Sequence, residues 1–229
     1  MQRLSIVMPV LNEAANIVGA LERLQPLRAR GHEVIAVDGG SEDGTAKLAE
    51  PLADRVLEAP RGRARQMNAG AERASGDVLL FLHADTRLPE NADRLIAERL
   101  PGTALAWGRF DVVIEGRHPM LKVIAAAMNL RSRWTGICTG DQGIFVHRDL
   151  FQRIGGYPPI DLMEDIALTS LLRRRARPVC LARHVITSGR RWERHGVWRT
   201  TALMWWLRLR YFLGASPAQL RRLYEGERT

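Results

Sequence analysis

Five consecutive apolar residues, Val78-Leu79-Leu80-Phe81-Leu82, run straight into His83-Ala84-Asp85. A strand that is apolar on both faces is covered on both faces, as in the parallel sheets of α/β domains. The carboxyl ends of such strands meet at the ligand crevice of an open α/β sheet. The junction therefore delivers an imidazole and a carboxylate, two residues apart, to that crevice. Together they can reach one divalent cation of the kind that bridges nucleotide phosphates.

The rest of the first half has the matching rhythm. A strand is expected over Leu4–Val10, then a helix capped by Asn12, with Ile17, Leu21 and Leu24 on one face and Gly31 at its end. A strand at 34–37, a short helix at 45–52, a strand at 55–57 and a helix at 62–74 complete the alternation. Strands separated by helices imply a parallel sheet. Further on, a long strand is expected at 105–115, a helix at 120–130, and strands at 144–147 and 179–186 flanking a helix at 164–175. One mixed α/β domain fits this pattern better than two.

Of the 229 residues 46% are hydrophobic, enough for a large core. Cys138 and Cys180 form no Cys-x-x-Cys pair and read as reduced thiols of a cytosolic protein. The chain runs from Met1 directly into its first strand, so no signal peptide is expected, and no apolar stretch approaches the ~20 residues of a membrane span. The net charge of +9 is unevenly placed: residues 173–229 hold 14 Arg, no Lys and 3 acids, whereas the first 172 residues hold 20 basic and 22 acidic side chains. A basic ending points to phosphates, as a diphosphate or an anionic lipid surface. With no zinc-finger spacing or RNA-binding aromatic signature beside it, nucleic acid is not expected as a partner.

Polar clusters recur at the expected strand ends. Pro9-Val10-Leu11-Asn12-Glu13 follows the first strand and Asp38-Gly39-Gly40-Ser41-Glu42-Asp43-Gly44-Thr45 the second. Asp38 can accept from a base NH or a ribose hydroxyl, and both clusters serve equally as turns and caps. Arg63 and Arg65 stand at a helix start, where phosphate oxygens find free amides. Asp141 and Gln142 precede the strand at 144–147, and Glu164-Asp165 opens a helix, as a dipole partner or as a general base. The last cluster is Arg190-Arg191-Trp192, followed by a helix at 197–213 whose face Trp198, Ala202, Trp205, Leu209 and Phe212 is expected to pack rather than meet a membrane.

Taken in order, these clusters resemble a family 2 glycosyltransferase. Pro9 to Glu13 resembles that family's opening signature, Val37 to Thr45 its nucleotide-binding turn, and His83-Ala84-Asp85 its Asp-x-Asp metal motif. Glu164-Asp165 resembles its acidic base motif and Arg190-Arg191-Trp192 its late basic-aromatic motif. The segment 62–70 and the Arg-Trp-rich ending resemble a small bacterial branch associated with radical-SAM and selenoprotein-type domains. The chain departs from the pattern at Gly39, where a second acid is usual, and at His83, where the metal motif has its first acid.

The resemblance implies a GT-A fold: a mixed, mostly parallel sheet flanked by helices, with a catalytic domain at 1–196 and a helical segment at 197–229. Its nucleotide-binding half would span about 1–100 and its acceptor half about 101–196. It implies an inverting hexosyl transfer from a nucleotide diphosphate sugar, with UDP the expected nucleotide, to an acceptor hydroxyl. Asp38 would hold the base, with Pro9, Asn12, Glu13, Ser41 and Asp43 around it. Mg²⁺ or Mn²⁺ would sit on Asp85, with His83 and His184 as further candidate ligands. Arg65, Arg190 and Arg191 would face the diphosphate, and Asp141, Gln142 and Trp192 the substrate. Asp165 would take the acceptor proton, with Glu164 beside it. A lipid-linked acceptor and peripheral attachment at the cytoplasmic membrane face accompany this reading. Two rivals remain: a sugar-phosphate nucleotidyltransferase, and a catalytically silent nucleotide-binding or membrane-adaptor module.

Overall fold

The computed structural model describes residues 2–100, 102 and 105–226. Met1 and residues 227–229, which the expected segments included, lie outside them. Eight strands form one sheet: β1 (Leu4–Val10), β2 (Glu33–Asp38), β3 (Arg55–Glu58), β4 (Val78–Phe81), β5 (Thr86–Arg87), β6 (Trp107–Glu115), β7 (Ile144–His147) and β8 (Val179–Ser188). Their spatial order is β3-β2-β1-β4-β7-β6-β8-β5.

The polarity of the strands gathers the clusters. β1, β2, β3 and β4 are mutually parallel, so Val10, Asp38 and His83 leave the sheet at one edge. β7 is antiparallel to β4, with Phe81 opposite Ile144, so the Gly140–Gln142 turn that precedes β7 meets the exit of β4. β6 is antiparallel to β7, and β8 runs parallel to β6, which returns Thr187 and Ser188 to the same edge. β5 closes the far side through Thr86 opposite Thr187.

The strand period of two builds a core on each face. Leu4, Ile6, Met8, Val78 and Leu80 join one apolar cluster with Ile17, Leu21 and Ile96. Val7, Ile35, Val37, Leu79 and Phe81 join the other with Met67, Leu150 and Tyr157. Both sides of β4 are therefore covered, as its composition requires. Both cysteines are free, and burial pushes the Cys138 thiol up to about 12.

Helices cover both faces. The expected first helix is two, Ala14–Glu22 and Gln25–Ala29, because Pro26 lacks the amide a continuous helix needs. The helix expected at 120–130 continues through Met120–Thr135, and its residue Asn129 bonds both the amide and the carbonyl of Val112 in β6. The chain ends in Val197–Phe212 and Pro217–Glu225, the second turning back toward the sheet edge. Among the described residues no helix is long and apolar enough to cross a membrane.

Candidate active site

A cleft of about 510 Å³ opens along the edge where the clusters converge. Its walls include Pro9 and Glu13 from the β1 exit, His83 and Asp85 from the β4 exit, and Asp141, Glu164 and Asp165 from the far side. Thr187, Arg191 and Trp192 close it from β8 and the helix beyond.

The turn after β2, from Asp38 to Thr45, stands beside this cleft and is locked by its own side chains. Asp38 is buried and accepts from the amides of Gly40 (3.1 Å) and Ser41 (2.8 Å) and from the Ser41 hydroxyl (2.5 Å). The Asn12 amide donates to Ser41 Oγ at 2.9 Å, and Asn12 Oδ1 accepts from Glu42, tying the β1 and β2 exits together. Asn12 is thus not the helix cap expected of it; with φ of 52° it makes the turn, and Asp43 takes the amide of Ala14 instead. Hydrogen bonds from Thr45 and Ala14 hold Asp43 below the usual aspartate range. Gln66, buried on the Arg63–Arg73 helix, donates to the carbonyls of Val10 and Val37, both at 2.8 Å. It satisfies two strand carbonyls that diverge at the sheet edge.

The far wall is an acidic centre. Glu164 and Asp165 occupy the first turn of the Glu164–Arg173 helix, where the helix dipole favours carboxylates. The residue before them, Met163, is held at φ 69°, a conformation that costs a non-glycine residue of order 1 kcal/mol or more. Asp165 Oδ2 accepts from the Gly140 amide at 2.8 Å, while Oδ1 is buried with no hydrogen-bond partner among the described residues. Burial and Asp165 together push Glu164 up to about 7. Burial likewise raises Asp165, against the opposing pull of His83, Arg63 and the Gly140 amide. His83 Nδ1 lies 3.6 Å from Asp141 Oδ1. Burial works against protonation of His83, but Asp141 outweighs it and raises the imidazole. Asp141 is lowered in turn, because His83 outweighs its desolvation.

Gly140 makes this packing possible. A Cβ there would sit 2.5 Å from His83 Cε1 and Nε2 and 2.8 Å from Asp165 Oδ2. Imidazole, backbone amide and carboxylate meet at one point because that residue has no side chain.

Among the described residues no three His, Cys, Asp or Glu side chains assemble into a preformed metal site. Asp85 nevertheless lines the cleft, engaged only weakly by Thr86 Oγ1 at 3.4 Å, and the buried Nε2 of His83 has no hydrogen-bond partner among the described residues. Such a sparse donor set fits Mg²⁺ or Mn²⁺, which take one or two carboxylates and complete their shells with phosphate oxygens and water.

Several expected residues point elsewhere. Arg63, not Arg65, lines the cleft, with its Nη1 3.8 Å from Glu164 Oε1, whereas Arg65 donates to the carbonyl of Arg61. The helix turn separates the two, since residues two apart face different directions. Gln142 is fully buried behind the cleft, against Ser132 and Asn129. His184 is exposed on β8, where the register shift between Phe110 and Asp111 occurs, and Thr187 lines the cleft in its stead. Arg190 bonds Ser188 and Asn16 and does not itself line the cleft, while Arg191 does.

Sequence reasoning missed the last wall. Thr200, Met204 and Arg208, spaced four residues apart on Val197–Phe212, line the cleft, and so do Arg221 and Tyr224. Arg221 lies 3.5 Å from Asp161, another lining residue. The four-residue spacing is visible in the chain, but nothing marked that face as inward. Indeed the face expected to pack, with Trp198, Trp205, Leu209 and Phe212, is the exposed one.

The family described as glycosyl transferase family 2 matches residues 5–177. The chain is 32% identical over 173 residues to a PGL/p-HBAD biosynthesis glycosyltransferase of Mycobacterium bovis, covering 67% of this chain and 62% of that one. It is 32% identical over 161 residues to an undecaprenyl-phosphate 4-deoxy-4-formamido-L-arabinose transferase of Pseudomonas fluorescens, covering 61% and 44%. The chain thus spans less than two thirds of the length of either relative. A mannosyltransferase of Pyrobaculum calidifontis, solved with GDP-Man and Mn²⁺, superposes with a TM-score of 0.61 at 24% identity, over 81% of this chain and 56% of that one. TarS of S. aureus, solved with UDP, superposes with a TM-score of 0.63 at 16% identity, over 81% and 60%. These two likenesses show a shared GT-A fold.

Proposed function

The chain belongs to glycosyl transferase family 2, and from that premise we propose that it moves a sugar from a nucleotide diphosphate sugar, with UDP the favoured nucleotide, to an acceptor hydroxyl with inversion. The observation that carries this reading is the buried Glu164-Asp165 pair facing the same cleft as Asp85 and Arg63. A single displacement needs a base on one side of the reacting carbon and charge neutralisation on the other.

Asp38 and the turn around Ser41 hold the base and ribose, with Pro9 and Glu13 as the adjoining wall. Asp85 would hold a divalent ion, whose charge would neutralise the departing diphosphate. Arg63 and Arg191 add fixed positive charge on the same side. Asp165, with Oδ2 anchored on Gly140, turns Oδ1 to the acceptor hydroxyl and accepts its proton. Burial and the charge of Asp141 keep Asp165 basic, and Trp192 supplies an apolar wall. Within the family, the segment 62–70 and the basic ending support placement in the small bacterial branch.

The test is a screen of nucleotide sugars for thermal stabilisation with and without Mn²⁺, followed by product analysis. Binding raises the apparent stability by about 2.7 kcal/mol when ligand stands 100-fold above its Kd. Released nucleoside diphosphate supports the transfer; released pyrophosphate assigns the cleft to nucleotidyl transfer; binding without turnover assigns it to a silent module.

A further inference from the structure

The helix that walls the cleft carries a second face. Val197, Thr200 and Leu207 of Val197–Phe212 are buried, and Met204 looks into the cleft. Its outer side shows Trp198 (67% exposed), Trp205 (71%) and Phe212 (65%), which follow at intervals of seven residues and so lie along one stripe. A second cleft helix repeats the arrangement. Met120–Thr135 buries Leu121 and Ala125, places Met128 in the cleft, and exposes Val123, Leu130 and Trp134 (82%). Large aromatic side chains this open to water, on two helices bounding one cleft, are not what a solvated surface selects.

We propose that these two outer faces dock the protein on an anionic bilayer, so that the acceptor is presented by a membrane lipid. Charge decides the occupant. Exposed Arg199 and half-buried Arg210 flank the stripe, and Arg210 stacks 5.6 Å from the Trp206 ring. The helix Val197–Phe212 carries Arg199, Arg208 and Arg210 and no acid, within a segment 173–229 of 14 arginines against 3 acids, so a second copy of this basic helix would repel it, whereas anionic headgroups attract it. An aromatic stripe bordered by arginines, on helices that do not span, is the composition of an interfacial helix. Thr200, Met204 and Arg208, which line the cleft, stand roughly 100° round the same helix from the stripe, so docking brings the cleft within about one helix diameter, ~10 Å, of the headgroups. The lipid acceptor rests on the glycosyl-transfer reading; the docking does not.

The test is co-sedimentation of the whole protein with phosphatidylglycerol–phosphatidylcholine vesicles and with pure phosphatidylcholine vesicles, at low and high salt. Binding to the anionic vesicles is expected, weakened roughly tenfold or more by salt and by the combined Trp198→Ala, Trp205→Ala, Phe212→Ala change, with a blue shift of tryptophan fluorescence in the unaltered protein. Since these side chains are exposed, the altered protein is expected to keep its melting temperature and its stabilisation by nucleotide sugar in the absence of vesicles. Protein that stays in the supernatant at low salt overturns the docking. So does vesicle binding indifferent to the three substitutions, or a concentration-dependent dimer that shields Trp205 without lipid. Nucleotide-sugar stabilisation with no vesicle binding defeats the docking alone. Vesicle binding without any donor recognition defeats the transfer reading and leaves the docking standing.

Discussion

Tyr224 and Arg191 hold each other at the cleft wall: the guanidinium carbon lies 3.6 Å from the ring centroid, and the same guanidinium donates to the phenolic oxygen and to the Tyr224 carbonyl. The two residues are 33 positions apart. A late helix thereby fixes the orientation of an arginine proposed to face the diphosphate. An exposed stacked pair of this kind is worth about 0.5–1 kcal/mol. Tyr224→Ala is expected to raise the donor KM about two- to five-fold with kcat little changed, and Tyr224→Phe, which keeps the ring, to recover most of the loss. Steady-state kinetics over a range of donor concentration checks both.

Asp165→Asn is expected to bind donor with near-normal affinity and to lose ~10²–10⁴ in kcat, the usual cost of a missing general base. Because burial raises Asp165, the rising limb of kcat/KM against pH should lie above the ordinary aspartate value of 3.8. A near-normal kcat in the substituted enzyme would move the role to Glu164.

Glu164 also leaves a mark on stability. Its folded pKa of about 7 stands above the ordinary 4.5, so the folded state holds a proton that the unfolded chain has released. Its contribution is fully present below pH 4.5 and is lost as pH rises through about 7. Glu164→Gln should therefore flatten the decline in unfolding free energy across that window. Urea titrations of both proteins at a series of pH values measure the difference, which should shrink to nothing if Glu164 is ordinarily ionised.

Removal of divalent metal by a chelator should abolish transfer, and added Mn²⁺ should restore it. Asp85→Asn should lose that response while keeping its melting temperature without ligand, since among the described residues Asp85 has a single long hydrogen bond, from Thr86. His83→Ala should be the milder change for metal response. A chelated enzyme that works at full rate would remove the ion from the reaction.

Gly140→Ala is expected to disable the enzyme without removing any charged group. Its Cβ would meet His83 and Asp165 at 2.5–2.8 Å, and overpacking of this sort costs about 1–3 kcal/mol. Both the melting temperature and kcat should fall, whereas Gly102→Ala, with open space around its Cβ, should change neither.

The legible part of the chain was the part with a period. β1 and β7 have the bounds expected of them, and the residues at the carboxyl ends of β1, β2 and β4 converge because parallel strands have one polarity. That β7 runs antiparallel was not written in its four apolar residues, since strand direction depends on the partner across the sheet. The short helices Ala92–Arg99 and Arg148–Arg153 escaped notice because so few turns show little periodicity. At the site, residue type was readable and direction was not. Arg63 and Arg65 are chemically equivalent in the sequence, and helix phase alone separates the one in the cleft from the one outside it. Gln142 and His184 failed for the same reason: burial and a strand irregularity decided where each side chain went. Tyr224 had no motif to announce it, because its role depends on a chain reversal between the last two helices.

The family match ends at residue 177, yet the cleft wall runs on to Tyr224. A fragment cut at the family boundary would be left without β8, stripping from β6 a parallel neighbour along eight register positions, from Gly108 to Glu115. It would also lose Thr187, Arg191, Met204 and Tyr224 from the cleft. For gene shuffling, the exchangeable cassette is therefore the whole stretch through Tyr224, and chimeras joined near residue 177 would graft one protein's acid pair onto another's cleft wall.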